Sequence, residues 1–137
     1  MNERLSLARR WWIGSSVVLL LCLVMGSPTI GADEPNTVRL VIDYNDGVEK
    51  HFNAIAWKTD MTVMDVMLAA GKHPRGISIE HKGKGATAML TKIDDVGNEG
   101  RGRNWLYRVN DKPGDRSMGI FQVQAGDTVL WKFDNYK

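Results

Sequence analysis

The sequence predicts an α+β fold of two layers, in which one helix crosses a face of a mixed β-sheet. Three observations predict it. Apolar residues alternate with polar ones at 37–44, the spacing becomes helical near residue 63, and alternation returns near residues 105 and 129. A period of two is typical of strands with one buried face, whereas apolar residues at i, i+3, i+4 and i+7 favour a helix. The predicted order is therefore β-β-α-β(n).

The first two strands form a predicted hairpin. Four large apolar side chains alternate across 37–44, and Asn45-Asp46-Gly47 follows them. Asp-Gly between two strand-like runs favours a tight turn, because both residues tolerate positive φ. Residues 48–57 return as the second strand. Its alternation slips between Ala54 and Ile55, which predicts a bulge or an early strand end.

A short helix follows the hairpin. Thr62 precedes the apolar run and Asp65 stands three residues later, which is typical of an N-cap with an acidic partner. Gly71 is predicted at the C′ position, where a left-handed residue ends a helix. The methionines of this helix are interpreted as core residues rather than a binding surface. The predicted buried face consists of Val63, Val66, Met67 and Ala70.

The rest of the chain predicts several strands joined by turns. Apolar residues alternate clearly at 105–109 and at 129–133. A hairpin, a helix and then several strands is the order of the β-grasp, or ubiquitin-like, arrangement. Weaker strand signals lie at 77–81, 89–96 and 120–123.

The first 32 residues predict an export signal. Three arginines precede an apolar run at 11–24, and small residues ending in Ala32 follow it. This pattern is typical of a signal peptide, and cleavage after Ala32 leaves a domain at 33–137 that is periplasmic or secreted. The alternative is an uncleaved N-terminal helix that anchors the chain, although the apolar run is shorter than the roughly 20 residues of a membrane span.

Cysteine content and charge exclude several classes. Cys22 is the single cysteine and lies in the predicted signal. Residues 33–137 therefore hold no disulfide, thiolate metal site or cysteine nucleophile. The signal contains three of the 18 basic residues and one of the 16 acidic ones, which leaves 15 of each. A neutral domain disfavours nucleic-acid binding, which usually requires a basic excess.

No catalytic motif is present, since the sequence lacks GxSxG, HExxH and a phosphate-binding loop. We therefore expect a non-enzymatic protein that requires no cofactor. The stretch DDVGNEG carries several oxygen ligands but does not reproduce a calcium-loop pattern, and a solvated turn is favoured. The histidines are scattered and predict no metal site. The residues weighed for metal or enzyme roles are His51, His73, His81, Asp94, Asp95, Asn98 and Glu99.

Large aromatic residues are frequent for so small a domain. Most of them lie in phase with apolar neighbours, which favours a place in the core over an exposed platform for a flat ligand. Tyr136 lies near the end of the sequence, and we expect it to be exposed. The group consists of Trp57, Trp105, Tyr107, Trp131, Phe133 and Tyr136.

Five stretches of the chain resemble the transcobalamin-like C-terminal domain family, in its order and spacing. They are VRLVIDYNDGVEKHF, MTVMDVMLAAG, NWLYRVN, MGIFQV and AGDTVLWKF. The resemblance extends from about Thr37 to Phe133. The family includes bacterial exported domains of unknown function and is similar to the β-grasp domain of transcobalamin and intrinsic factor, which covers one face of cobalamin.

The resemblance implies a ligand-binding stretch in the hairpin at 110–120. Arg116, Ser117 and Met118 match the ligand-facing positions, and Trp105 matches the strand aromatic behind them. Met118 departs from the polar residue of the vitamin carriers. The chain also lacks their second, all-helical domain, so a corrinoid here requires a partner protein over its other face, or the ligand is a different one.

Three hypotheses follow. The first is an exported, non-catalytic binding module for cobalamin or a related corrinoid. The second is a protein–protein interaction module of the cell envelope without a small-molecule ligand, because β-grasp domains also pair a sheet edge or face with another protein. The third is a small enzyme. It is the weakest, since its candidate residues suggest no mutual geometry.

Overall fold

The computed structural model describes residues 36–137. The predicted signal at 1–32 and its cleavage site lie outside the described residues. Helix α1 (Val63–Gly71) follows the first two strands, and a short 3-10 helix spans Gly85–Thr87. The strands are β1 (Thr37–Asp43), β2 (Glu49–Ala56), β3 (Ile79–Lys82), β4 (Met89–Ile93), β5 (Val96–Gly97), β6 (Arg103–Val109), β7 (Lys112–Pro113) and β8 (Thr128–Asn135).

Two sheets make up the strand layer. The larger sheet has the order β2-β1-β8-β6-β7, and the smaller has the order β3-β4-β5. Strands β1 and β8 pair in parallel, whereas the other pairs of the larger sheet are antiparallel. Helix α1 contacts β1, β2 and β3. The described residues are therefore mostly sheet, with a mixed larger sheet and one α-helix, in agreement with the predicted α+β class.

The predicted hairpin and its bulge are both present. Asn45 has a φ of 58° and Gly47 a φ of 95°, as a tight turn requires. Val38 pairs with Ile55 but Leu40 pairs with Phe52, so β2 holds one residue more than β1 between these pairs. This is the bulge that the slipped alternation predicts.

Helix α1 begins as predicted and ends differently. Thr62 and Asp65 form a capping box, and the four predicted apolar residues are buried. Gly71 is the last helical residue, and Lys72 is the C-cap with a right-handed φ of −84°. The prediction that Gly71 occupies a left-handed C′ position is wrong, because the N–H of Lys72 bonds back to the Ala69 carbonyl and that of His73 to the Ala70 carbonyl, which closes a tight last turn.

The core lies between α1 and the larger sheet, and it includes most of the aromatic residues. Trp105, Trp131 and Phe133 are at most 5% exposed. Trp57 and Tyr107 are partly buried against the same cluster. Tyr136 is 86% exposed, as predicted. The interpretation of the aromatics as core residues is confirmed.

All three of the weaker strand predictions need correction. The strand expected at 77–81 lies at Ile79–Lys82. The one expected at 89–96 is divided, because Asp94 adopts a φ of 52° and turns the chain between β4 and β5. Residues 120–123 form no strand, although Gln122 makes a single bridge to Thr62 that fixes this segment beside the start of α1.

Asp94 joins the first hairpin to the smaller sheet. Its Oδ2 accepts hydrogen bonds from the Tyr44 hydroxyl and from Lys50 Nζ, the latter at 2.9 Å. Its Oδ1 accepts the Ser78 N–H at 2.9 Å. Partial burial alone would raise the pKa of Asp94, but the hydrogen bonds outweigh it, so the pKa lies below its usual value. Burial and the neighbouring carboxylate raise the pKa of Tyr44.

The lowered pKa of Asp94 predicts that the protein loses stability in acid. The pKa of Asp94 in the folded protein lies below the unfolded value of about 3.9. The stability that the ionised carboxylate contributes is therefore fully present above that pH and is lost as the pH falls through the folded pKa. We expect Asp94→Asn to flatten this loss of stability in acid when the free energy of unfolding in urea is measured across the pH range. If the free energy of unfolding falls equally steeply with decreasing pH in the wild type and in Asp94→Asn, Asp94 is not the group responsible.

Candidate functional site

The candidate site is a groove of about 860 Å³ next to the outer edge of β6, which we call the β4–β6 groove. Its volume lies within the range of small-molecule sites, about 300–1,000 Å³. Residues 88–90 at the start of β4 and residues 104–108 of β6 contribute to its lining. All four predicted site residues line it as well: Trp105, Arg116, Ser117 and Met118.

Asn98 connects the two strands beside this groove. Its Nδ2 donates to the Leu90 carbonyl at 2.8 Å, and its Oδ1 accepts the Trp105 N–H at 2.8 Å. The carboxamide therefore spans the gap between β4 and β6 as a peptide group would. Asn98 was considered from the sequence only as a calcium ligand, and its bridging role becomes visible only when the two strands are placed side by side.

Ser117 fixes the segment after β7 against the 3-10 helix. Its hydroxyl lies 2.8 Å from the Gly85 carbonyl and 2.7 Å from the Ala88 carbonyl, and it accepts the Gly119 N–H at 3.2 Å. A Cβ on Gly119 would overlap the Gly85 carbonyl, so a glycine permits this close approach. Ser117 thus positions the groove through hydrogen bonds within the protein.

Trp105 and Met118 line the groove with side chains that belong to the core. Trp105 is 5% exposed, and its Nε1 donates to the Val96 carbonyl at 2.8 Å. Its ring meets Tyr44 edge-on at 5.5 Å. Met118 is 2% exposed. Of the four predicted residues, Arg116 has the most exposed side chain, which pairs with Asp115 at 2.7 and 2.9 Å.

Tyr107 forms a structural unit with the turn that follows β7. Its hydroxyl donates to the Arg116 carbonyl, and a Cβ on Gly114 would overlap its ring. Burial, followed by the charge of Asp115, raises the pKa of Tyr107 to about 12. The phenol is therefore neutral at physiological pH and positions the 114–118 segment rather than acting as a base.

Trp131, a residue of the groove lining, carries a buried donor without a partner. The residue is 3% exposed and belongs to the lining. Within residues 36–137, its indole Nε1 is buried without a hydrogen-bond partner. Its ring packs against that of Tyr107 at 5.1 Å. Buried indole N–H groups usually find a partner, so this one calls for an acceptor that is supplied from elsewhere.

Two exposed apolar side chains lie in the lining. Met89 is 55% exposed and Tyr136 is 86% exposed. Sequence reasoning missed Met89. The available signal was that Met89 begins a weakly predicted strand and lies outside any clear alternation of apolar residues, which is compatible with an exposed side chain. Val48 is equally exposed, at 54%, but lies in the hairpin turn and outside the groove. Large apolar groups exposed at a concave site favour binding of a partly apolar ligand.

The lining carries more basic than acidic side chains. It includes Arg108, Arg116, Lys132 and Lys137 but only one acidic residue, Asp134. Lys132 pairs with Asp43 at 3.1 Å, and Arg116 pairs as described above. Among residues 36–137, Arg108 and Lys137 form no ion pair, so the groove favours a neutral or acidic occupant.

The residues weighed for metal binding are dispersed and engaged in other contacts. Glu99 holds Arg103, His51 contacts Glu49 at 2.8 Å, and His73 packs edge-on against Phe52. His81 lies exposed on β3, and Asp95 is an exposed turn residue. In the described part of the chain, no three His, Cys, Asp or Glu residues come together as a metal site.

Within residues 36–137, no helix has the length and apolar character that a membrane span requires.

Comparison with known proteins relates the chain to a family of domains and to solved structures of similar fold. The family described as "Domain of unknown function (DUF4430)" matches residues 60–135, which is more than half of the chain. A protein from Ruminococcus gnavus, provisionally described as metal-binding, has a similar structure with a TM-score of 0.57. It is 13% identical over 73% of this chain and 97% of its own, so the likeness shows the fold alone. No curated protein matches the chain.

Proposed function

The chain belongs to the DUF4430 family of domains of unknown function, and from its groove we propose that it is a non-catalytic binding module. The observation that carries this proposal is Trp131, a residue of the groove lining whose buried indole N–H lacks a partner among residues 36–137. A ligand with a hydrogen-bond acceptor would satisfy it. The dispersed titratable side chains support a binding role over a catalytic one.

We further propose that the fold is the β-grasp arrangement. The parallel pair of β1 and β8 has the β1–β2 hairpin on one side and β6 on the other. Helix α1 lies between the hairpin and the later strands in the chain and packs on the sheet. These features support the likeness to transcobalamin-type domains, and with it a corrinoid such as cobalamin as the first ligand to test.

A corrinoid in an open groove would leave one face exposed. The β4–β6 groove lies on the surface of a single small domain, and one-sided burial gives weaker binding than enclosure between two domains. We therefore propose that a partner protein covers the other face. We propose that both proteins are exported, this chain after cleavage behind Ala32, to the periplasm or the cell exterior.

The corrinoid proposal is tested by titrating the purified protein with cobalamin, followed by calorimetry and tryptophan fluorescence. We expect saturable one-to-one binding. Trp131→Phe removes the free donor but keeps an aromatic ring, and it should weaken binding about tenfold, or about 1.4 kcal/mol. The matched control is Trp57→Phe, because the indole of Trp57 already donates to Val123 at 2.8 Å outside the groove. The control should leave the affinity unchanged.

A second pair of variants tests Arg116, an exposed residue of the groove lining. Arg116→Ala should weaken binding about fivefold, which is about 1 kcal/mol. Arg75→Ala, which changes an exposed arginine outside the groove, should not. No saturation at high micromolar cobalamin, with the protein folded by circular dichroism, rejects the corrinoid.

The second candidate function is a protein–protein interaction module. One observation favours it: β7 pairs only with Arg108 and Val109, so most of the outer edge of β6 has no strand beside it. Open strand edges are common sites for an added strand.

A further inference from the structure

The outer edge of β6 is identified by the direction of its backbone groups. The Asn110 N–H donates to the Thr128 carbonyl at 2.9 Å, so the even-numbered residues of this strand direct their N–H and C=O groups towards β8. Residues 103, 105 and 107 therefore direct theirs away from the sheet, because backbone groups alternate in direction along a strand.

Four of the six outward backbone groups at 103, 105 and 107 have partners. Arg103 donates to Glu99 Oε2 at 2.7 Å and accepts the Glu99 N–H at 2.9 Å. The Trp105 N–H is taken by Asn98, and the Tyr107 carbonyl accepts the Gly114 N–H at 3.0 Å. The two remaining groups are the Trp105 carbonyl and the Tyr107 N–H, for which residues 36–137 supply no partner.

These two groups have the spacing of an unfilled strand pairing. The acceptor and the donor flank Leu106 on the same edge, and residues 105–107 all line the β4–β6 groove. An antiparallel added strand meets such a pair with one N–H and with one carbonyl two residues away. Unpaired backbone groups on a strand edge are a template for pairing with another chain, so an occupant of the groove that pairs with both is favoured.

Asn98 shows that an amide fits this gap. One register position away, its carboxamide donates to Leu90 on β4 and accepts from Trp105 on β6, each at 2.8 Å. A peptide group placed next to it would continue the same pattern. The excess of basic side chains in the lining adds a preference for a peptide that carries acidic residues.

We propose that the β4–β6 groove binds a short extended segment of a partner protein as an additional strand on the edge of β6. The segment donates one backbone N–H to the Trp105 carbonyl and accepts the Tyr107 N–H. This inference rests on the groove being the binding site proposed above. It names a peptide as the occupant, and a corrinoid in the same place would compete with it.

The test uses an array of acidic, β-prone peptides of about 5–6 residues, the usual strand length. We expect members of the array to bind and to slow hydrogen exchange at the Tyr107 N–H at least tenfold. N-methylation of the peptide amide that donates to Trp105 should weaken binding at least tenfold. N-methylation of the next amide, which faces away from β6, should change it less than twofold.

Matched surface variants locate the binding. Met89→Ser should weaken the peptide about fivefold, whereas Val48→Ser, at an equally exposed apolar residue outside the groove, should not. Three results overturn the inference: no peptide binds at millimolar concentration, both N-methylated peptides bind equally, or the Tyr107 N–H exchanges at its free rate in the complex.

The outcomes separate this inference from the proposed function. Cobalamin binding that responds to Trp131→Phe, without any peptide binding, supports the groove as a ligand site and overturns the peptide. Binding of neither probe overturns both. A stable dimer in which the Tyr107 N–H is protected assigns the edge to a second copy of the chain and also overturns the peptide.

Discussion

Replacing Trp105 with alanine is expected to lower the free energy of unfolding by about 3–5 kcal/mol, the usual cost of truncating a buried tryptophan. The indole is almost fully buried between Tyr44 and Phe133, whose ring centroid lies 5.3 Å away. Removing it also leaves the Val96 carbonyl without its indole donor. Urea unfolding followed by circular dichroism measures the loss.

Tyr136→Ala is the matched control for this truncation. Tyr136 is a large aromatic residue that is 86% exposed, so its removal should change stability by no more than about 0.5 kcal/mol. If Trp105→Ala costs less than about 1 kcal/mol, the side chain is not a core residue, and a ligand-facing role for its ring returns.

Replacing Met118 with alanine is expected to cost about 2–5 kcal/mol. Its side chain is 2% exposed within the core, and its carbonyl accepts the Met64 N–H at 2.9 Å at the start of α1. Truncation leaves a cavity beneath the groove. Met118→Leu keeps most of the volume and should cost less than about 1.5 kcal/mol. Thermal and urea unfolding of both variants compare the two costs.

The stability of Met118 variants affects every binding experiment at this position. A loss of ligand affinity in Met118→Ala would combine damage to the groove with loss of a contact. Arg116→Ala changes an exposed side chain, so it tests a contact without damage to the core. Equal unfolding free energies for the wild type and Met118→Ala would place the side chain at the surface, contrary to the structure.

The fold was predictable where its signals are local. The hairpin turn, the bulge in β2 and the N-cap at Thr62 each depend on residues within a few positions of one another. The strand order depends on contacts distant in the chain. Nothing near β1 or β8 in the sequence specifies their parallel pairing, because Leu40 and Val129 meet only through the collapse of the whole core.

The ligand-binding role of Arg116, Ser117 and Met118 stays a prediction that comes from the resemblance, although all three residues line the groove. The direction of their side chains was not predictable, because it follows from the hydrogen bonds of Ser117 to the 3-10 helix, about thirty positions earlier in the chain. The bridge made by Asn98 has the same origin, since it requires β4 and β6 to lie side by side.

The central claim, that the β4–β6 groove is the binding site, is tested most directly by mapping backbone amide chemical shifts in nitrogen-15-labelled protein. Cobalamin and the acidic peptides are added in separate titrations. The account predicts that at least one probe perturbs the amides of Met89, Leu106 and Tyr107, together with the indole N–H of Trp131. Perturbations confined to the outer surface of α1 or to the turn at 45–48, or no perturbation by any probe, would contradict it.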